Sequence, residues 1–289
     1  DQDSRYLYVG NHMPRMAATA EKVNVAVARI DLKRKRLDSL IALPDGSIAL
    51  QGMTVSPDGS TVWMTHGIGQ YQLPTNQLER GWVNTNAMSM IDAASGKLRD
   101  TVLLDDTTLG AANPWGVGVS LEADTVVVSH TGTHEISLIP LSKLEASFEE
   151  GSHGEHARGY DLTLMNALGR RRLVSGGLGP RELVVEGTRG YVLEYFSGTL
   201  AVLDLKNRNQ PVQARISLGT QPEMDEVRHG ELRFSDARLC FQHWQSCISC
   251  HPSIRVDGLN WDNVNDGLGN PKQTKSLLFS HETPPDIAH

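Results

Sequence analysis

Cysteine is scarce in this chain, three in 289 residues, which is too few for a disulfide framework. No run of 18 apolar residues occurs, so no helical membrane span is expected. A basic surplus is also missing. Lys and Arg number 27 against 34 Asp and Glu, a formal net charge of −7. A binder of phosphate backbones carries the opposite balance, so nucleic acid is not an expected partner. The N-terminal residues Asp1-Gln2-Asp3-Ser4 are polar and show no secretory leader. A leader already removed would leave the same picture, so the compartment is not read from it. What is present is an ordinary globular balance, 39% hydrophobic and 21% charged, which excludes a fully disordered chain. At roughly 150 residues per domain the length suits about two domains, or one large β domain with an appendage.

The chain repeats itself. Val55–His66, Val119–His130 and Val184–Tyr195 align without gaps, at offsets of 64 and 65 residues. Each reads as strand, polar turn, strand. Ser56-Pro57-Asp58-Gly59 is a strong turn signal, and Thr61-Val62-Trp63-Met64 is rich in β formers. A further strand follows each unit, at Ala87–Leu98, Glu135–Leu144 and Thr199–Asn209. Val27–Leu37 belongs with these, and Arg5–Gly10 matches the second strand of the twelve-residue unit. About four units are therefore visible, the first starting in mid-unit. Repeated antiparallel strand sets of this kind predict a mainly β protein built as a β-propeller. The turn and the stretch Ser89-Met90-Ile91-Asp92-Ala93-Ala94-Ser95-Gly96-Lys97 resemble the YVTN or lactonase-like propeller family over residues 1–228. Four units are few for a closed ring, and an open sheet edge is an aggregation hazard. The expectation is an incomplete propeller belonging to a longer protein. The segment 147–160, with His153 and His156, reads as a solvated loop rather than a metal site.

Cys247-Ile248-Ser249-Cys250-His251 is C-x-x-C-H, the attachment sequence of haem c. Two thiols at this spacing reach the two vinyl groups of one porphyrin. The adjoining His251 then lies beneath the iron as its proximal ligand. A zinc site wants a second ligand pair, and none follows. A thioredoxin-like pair wants a βαβ unit, which is absent. Residues 230–246 read as a helix leading into the motif, capped by Ser235 or Asp236, with Leu239 and Trp244 on its apolar face. Cys240 reads as a small hydrophobe on that face.

Gly230–Phe234, Cys247–Pro252, Asp257–Asp262 and Asp266–Leu277 together resemble the haem domain of the bacterial di-haem cytochrome c peroxidase and methylamine-utilisation (MauG-like) family. The whole chain is similar to hybrids in which a YVTN propeller precedes such a domain. The resemblance implies a small α-helical cytochrome c-like segment at 229–289, one covalent haem c, and an extracytoplasmic, periplasmic location. It also implies a redox partner protein or second haem domain, a peroxide or small organic substrate, and peroxidase-like chemistry once that second haem is supplied.

The iron's sixth position has several candidates. His281 and an open or water-bound site lead, followed by His66, His130 or His134 from the propeller, with His289 a further downstream candidate; His66 and His130, at equivalent repeat positions, read first as hydrogen-bonding residues at strand ends. His243 lies too close along the chain to reach the opposite face, and no Met follows Met224. Arg255, Lys272 and Lys275 are candidates to pair with haem propionates, and Trp261 to pack on the haem edge. Two other functional readings stay open: a single-haem electron carrier without turnover, and a propeller binding module whose haem site is unloaded.

Overall fold

The computed structural model describes residues 5–75, 83–150, 157–221 and 223–282. Its core is four successive antiparallel sheets. The first holds β1 (Tyr6–Gly10), β2 (Ala26–Asp31) and β3 (Arg36–Ala42). The second holds β4 (Ser47–Ile48), β5 (Met53–Val55), β6 (Thr61–Gly69), β7 (Asn84–Asp92) and β8 (Lys97–Leu103). The third holds β9 (Pro114–Ser120), β10 (Thr125–His130), β11 (Glu135–Pro140) and β12 (Arg171–Val174). The fourth holds β13 (Pro180–Glu186), β14 (Arg189–Glu194), β15 (Thr199–Asp204) and β16 (Val212–Ser217). Each sheet runs in sequence order, as the blades of a propeller do, save that β4 and β5 both pair with β6. The three twelve-residue repeats are the hairpins β5–β6, β9–β10 and β13–β14. The first blade has three strands, and its β1 is the unit's second strand. β7 begins at Asn84, three residues before the expected strand. α1 (Leu141–Glu150) and α2 (Leu164–Leu168) lie between β11 and β12. His153 and His156 lie outside the described residues.

Blade-to-blade packing follows from the alternation of side chains along a strand. One apolar layer (Tyr8, Val27, Val62, Met64) joins blades one and two. Another (Trp63, Met88, Val117, Val126) joins two and three, and a third (Val127, Ile136, Val192, Leu203) joins three and four. Both faces of the inner blades are therefore covered, and β7 and β10 are buried along nearly their whole length. The outer blades keep one open face, and β2 and β13 alternate. Leu7, Val9, Val184 and Ile216 are exposed there, at 48%, 41%, 64% and 50%.

The repeats also carry polar ties. Thr65 and Ser129 occupy equivalent positions, and each hydroxyl donates to a carbonyl of the next blade, of Trp115 and of Arg181. His66 and His130 follow them, fully buried. Their Nε2 atoms lie 2.7 and 2.8 Å from the hydroxyls of Ser89 and Ser137 on the next strand. Burial pushes His66 down to about 4 and His130 in the same direction. A histidine held neutral this way supports the fold above the unfolded-state value of 6.5, and that support is lost as pH falls toward about 4. His66→Asn should flatten the acid limb of a stability–pH curve, by up to about 3 kcal/mol. Asp105, raised to about 6 by burial, acts in the opposite direction. The informative quantity is therefore the difference between variant and wild type in urea unfolding from pH 7 to 4. Parallel curves would contradict the assignment.

Candidate functional site

After β16 the chain crosses one end of the blades. α3 (Glu226–Ser235) starts at Asp225, whose carboxylate accepts from the Arg228 amide. It docks on blade four, where Arg228 and Arg181 stack over Tyr195, at 4.2 and 3.7 Å from the ring centre. The helix expected over 230–246 does not run through. It stops at Ser235 because Asp236 turns extended and accepts from the Arg238 amide, capping a separate turn. Gln242 and His243 then take left-handed backbone angles, φ 47° and 59°. Trp244 is buried, as expected of the apolar face, but Leu239 is 69% exposed and Cys240 only half-buried. The C-terminal part is thus mostly a strap of short turns. The expected helical segment reduces to α3 and one turn, α4 (Cys247–Cys250).

Three asparagines at the strand ends hold this strap. Asn84 Nδ2 donates to Gln245 Oε1 at 2.8 Å and to Cys250 Sγ at 3.2 Å. Asn86 Nδ2 donates to the Trp244 carbonyl at 3.1 Å and to Asp105 at 2.8 Å. Asn113 donates to Ser246 Oγ at 2.7 Å and accepts from Ser249 Oγ at 2.8 Å. Ser249 Oγ also accepts from the Ser246 amide. Both serines flanking the motif's first residues are therefore fixed by one propeller residue. Further along, Leu259 and Trp261 sit against Gly69, where a β-carbon would fall 2.6 Å from Leu259. Thr75 holds the Asp262 carbonyl.

A cavity of about 660 Å³ opens between the strand ends and the strap, within the range of ligand clefts. Asn84, Cys250, His251, Trp261, Lys272 and Lys275 line it, among others. His251 ends the α4 turn. Its Nδ1 lies 3.3 Å from the Arg255 carbonyl, and Phe234 of α3 packs beside its ring. Donation from Nδ1 leaves Nε2 as the nitrogen free to bind a metal. Burial, aided by the charge of Asp257, pushes the Cys250 thiol up to about 12. A thiolate ligand is disfavoured there, whereas a neutral thioether sulfur suits the site. Cys250 and His251 line the cavity, whereas Cys247, on the same turn, is exposed and not among the lining residues. Two thiols and an imidazole on one turn fit the donor set of a covalent haem. Trp261 is 5% exposed, packs with Val23, Ile48 and Val83, and donates to buried Asp257 at 2.7 Å. It is a core residue with an edge on the cavity.

Other expected residues lie elsewhere. Arg255 is exposed and not among the lining residues. His281 is 76% exposed beside Glu282 and also does not line the cavity. His66 and His130 are committed to serines. His134 accepts from the Gly179 amide and faces Asp236. No cluster of three His, Cys, Asp or Glu suited to a metal exists among the described residues. His289 lies outside them. The asparagines were the unforeseen part. Asn84-Thr85-Asn86 carries the required signal, two amides at strand period 2 and so on one face.

No known protein-family profile matches the chain. It is 24% identical over 216 residues to hydrazine synthase subunit beta of Kuenenia stuttgartiensis, covering 69% of this chain and 55% of that protein. It is 38% identical over 60 residues to hydrazine synthase subunit gamma of the same organism, covering 20% of this chain and 17% of that protein. The chain thus spans about half the length of the first relative and a smaller share of the second. The solved structure of Kuenenia stuttgartiensis hydrazine synthase superposes with a TM-score of 0.60 at 24% identity, over 70% of this chain and 56% of that one. With four blade-like sheets in sequence order, this likeness makes the fold a β-propeller, similar to that of hydrazine synthase.

Proposed function

We propose that the chain carries one haem c, bound through Cys247 and Cys250 with His251 as proximal ligand, and serves an extracytoplasmic redox protein of the di-haem peroxidase-like kind. The observation that carries this is the α4 turn. It presents Cys250 and His251 to a ligand-sized cavity, with His251 Nε2 left available. When bound, haem supplies a one-electron couple. The chain's own residues would orient it: Arg255 through its carbonyl, Trp261 as a wall, and Lys275 as positive charge for the propionates, Lys272 being paired with Asp266. Arg255's side chain is not assigned to them. With His281 exposed and off the cavity lining, the sixth position is proposed as open or water-bound, and His281 is the alternative. Thioether attachment belongs on the oxidising side of a membrane, which favours a periplasmic location.

The protein is proposed to act within a longer or multi-chain assembly. The open faces of the outer blades, with Leu7, Val9, Val184 and Ile216 exposed, suit coverage by further blades. The likeness to two subunits of hydrazine synthase supports the same view. A second haem domain from that assembly would complete a peroxidase.

Reductive titration with peroxide challenge tests the proposal. Protein from a host that matures c-type cytochromes should take up one electron per chain. It should not turn over peroxide until a partner with a second haem is added. Turnover by the chain alone would overturn the two-haem reading. If a partner never elicits turnover, the chain is an electron carrier. A colourless, redox-silent protein would make it a propeller binding module.

A further inference from the structure

We infer that Asn84, a propeller residue, is the positioning residue that sets the reduction potential of the haem through the Cys250 sulfur. The inference rests on the haem reading above. Asn84 opens β7 in the second blade and is 4% exposed. Its amide spends both protons on the strap, one on Gln245 Oε1 and one on Cys250 Sγ. Its Oδ1 is buried with no hydrogen-bond partner, a costly arrangement for an amide. Turning the amide over would place that oxygen against the sulfur. A free thiol could donate to it. A thioether has no proton and can only accept, so the donor-first orientation suits the haem-bound state. The same residue lines the cavity.

Hydrogen bonds around the ring are one of the protein's means of tuning a haem potential. A donor to the thioether sulfur draws electron density from the porphyrin edge and favours the reduced form. Removing it should lower the potential. The backbone of Asn84 pairs with Gly69 of the blade and Gln245 of the strap orients its amide, so the blade carries the donor and the strap aims it. The propeller would then act on the redox centre through one side chain.

The test is the midpoint potential of wild type, Asn84→Leu and Asn84→Asp, by spectroelectrochemistry, with the thermal midpoint measured alongside. Asn84→Asp keeps the volume and guards against a folding failure of the leucine variant. The equilibrium constant for reduction should fall several-fold in Asn84→Leu and further in Asn84→Asp, which turns an oxygen and a negative charge toward the sulfur. A merely structural role lowers the thermal midpoint and leaves the potential in place. Haem-loaded variants with the wild-type potential would overturn the inference. A wild type that binds no haem would overturn the haem reading and the inference with it, a result visible before any variant is made.

Discussion

Replacing Cys247 and Cys250 together by serine should abolish the proposed covalent haem, while either replacement alone should leave a single thioether. Serine is close to cysteine in size, with a hydroxyl in place of the thiol, so the α4 turn keeps its shape. Asn113 still holds Ser246 and Ser249. What would be lost is the sulfur proposed to bond the vinyl carbons, leaving His251 as the sole attachment. A ring held by one imidazole at a cavity open to solvent dissociates, so denatured double variant should show the mass of bare polypeptide. Each single variant should keep the haem mass with a displaced absorption band, because one vinyl group stays unsaturated. Cys240→Ser should bind haem as wild type does, since Cys240 lies outside the motif and is half-buried. Covalent haem in the double variant would contradict the assignment of both sulfurs.

Gly110→Ala should detach the strap from the propeller. A β-carbon on Gly110 would fall 2.4 Å from the Trp244 α-carbon and 2.5 Å from the His243 carbonyl oxygen. Both are backbone atoms and cannot rotate away, unlike a flexible side chain. Gly110 also donates to the Gln242 carbonyl, and Asn86 to that of Trp244. The strap must therefore move as a unit, at a cost of about 3 kcal/mol. Faster proteolysis at Arg238 and Arg255, beside a hairpin core that stays resistant, would report the detachment. Gly230→Ala is the control. Nothing lies within 4 Å of its β-carbon position in α3, and alanine should add about 0.5–1 kcal/mol to the helix. Equal stability in the two variants would contradict the docked strap.

The blades were legible because their signals are local. Alternating β formers and the turn at Ser56–Gly59 lie within a dozen residues, and three copies at near-equal spacing exposed the repeat. The three-stranded first blade was legible for the same reason, since Arg5–Gly10 matched a second strand. The C-x-x-C-H motif was equally local. The docking was not. Asn113 meets Ser246 across 133 residues of sequence and Asn84 meets Cys250 across 166. An Asn-rich stretch reads as a loop until the partner that accepts its protons is in place. The entry helix failed for a related reason. Leu239 and Trp244 suggest one apolar face, but Asp236 caps a new turn and the propeller takes Trp244 alone. His66 and His130 show the reverse case. Their equivalence in the repeat was visible, and their burial against serines removes them as iron ligands.

Cys247, Cys250 and His251 are proposed to hold a covalent haem on the face of the propeller. The most direct test of this is the intact mass of the denatured wild-type chain, produced in a host that matures c-type cytochromes, with a pyridine haemochrome spectrum of the same sample. The expected result is the polypeptide plus one haem, with the spectrum of a ring joined by two thioethers. Bare polypeptide mass from such a host would contradict it.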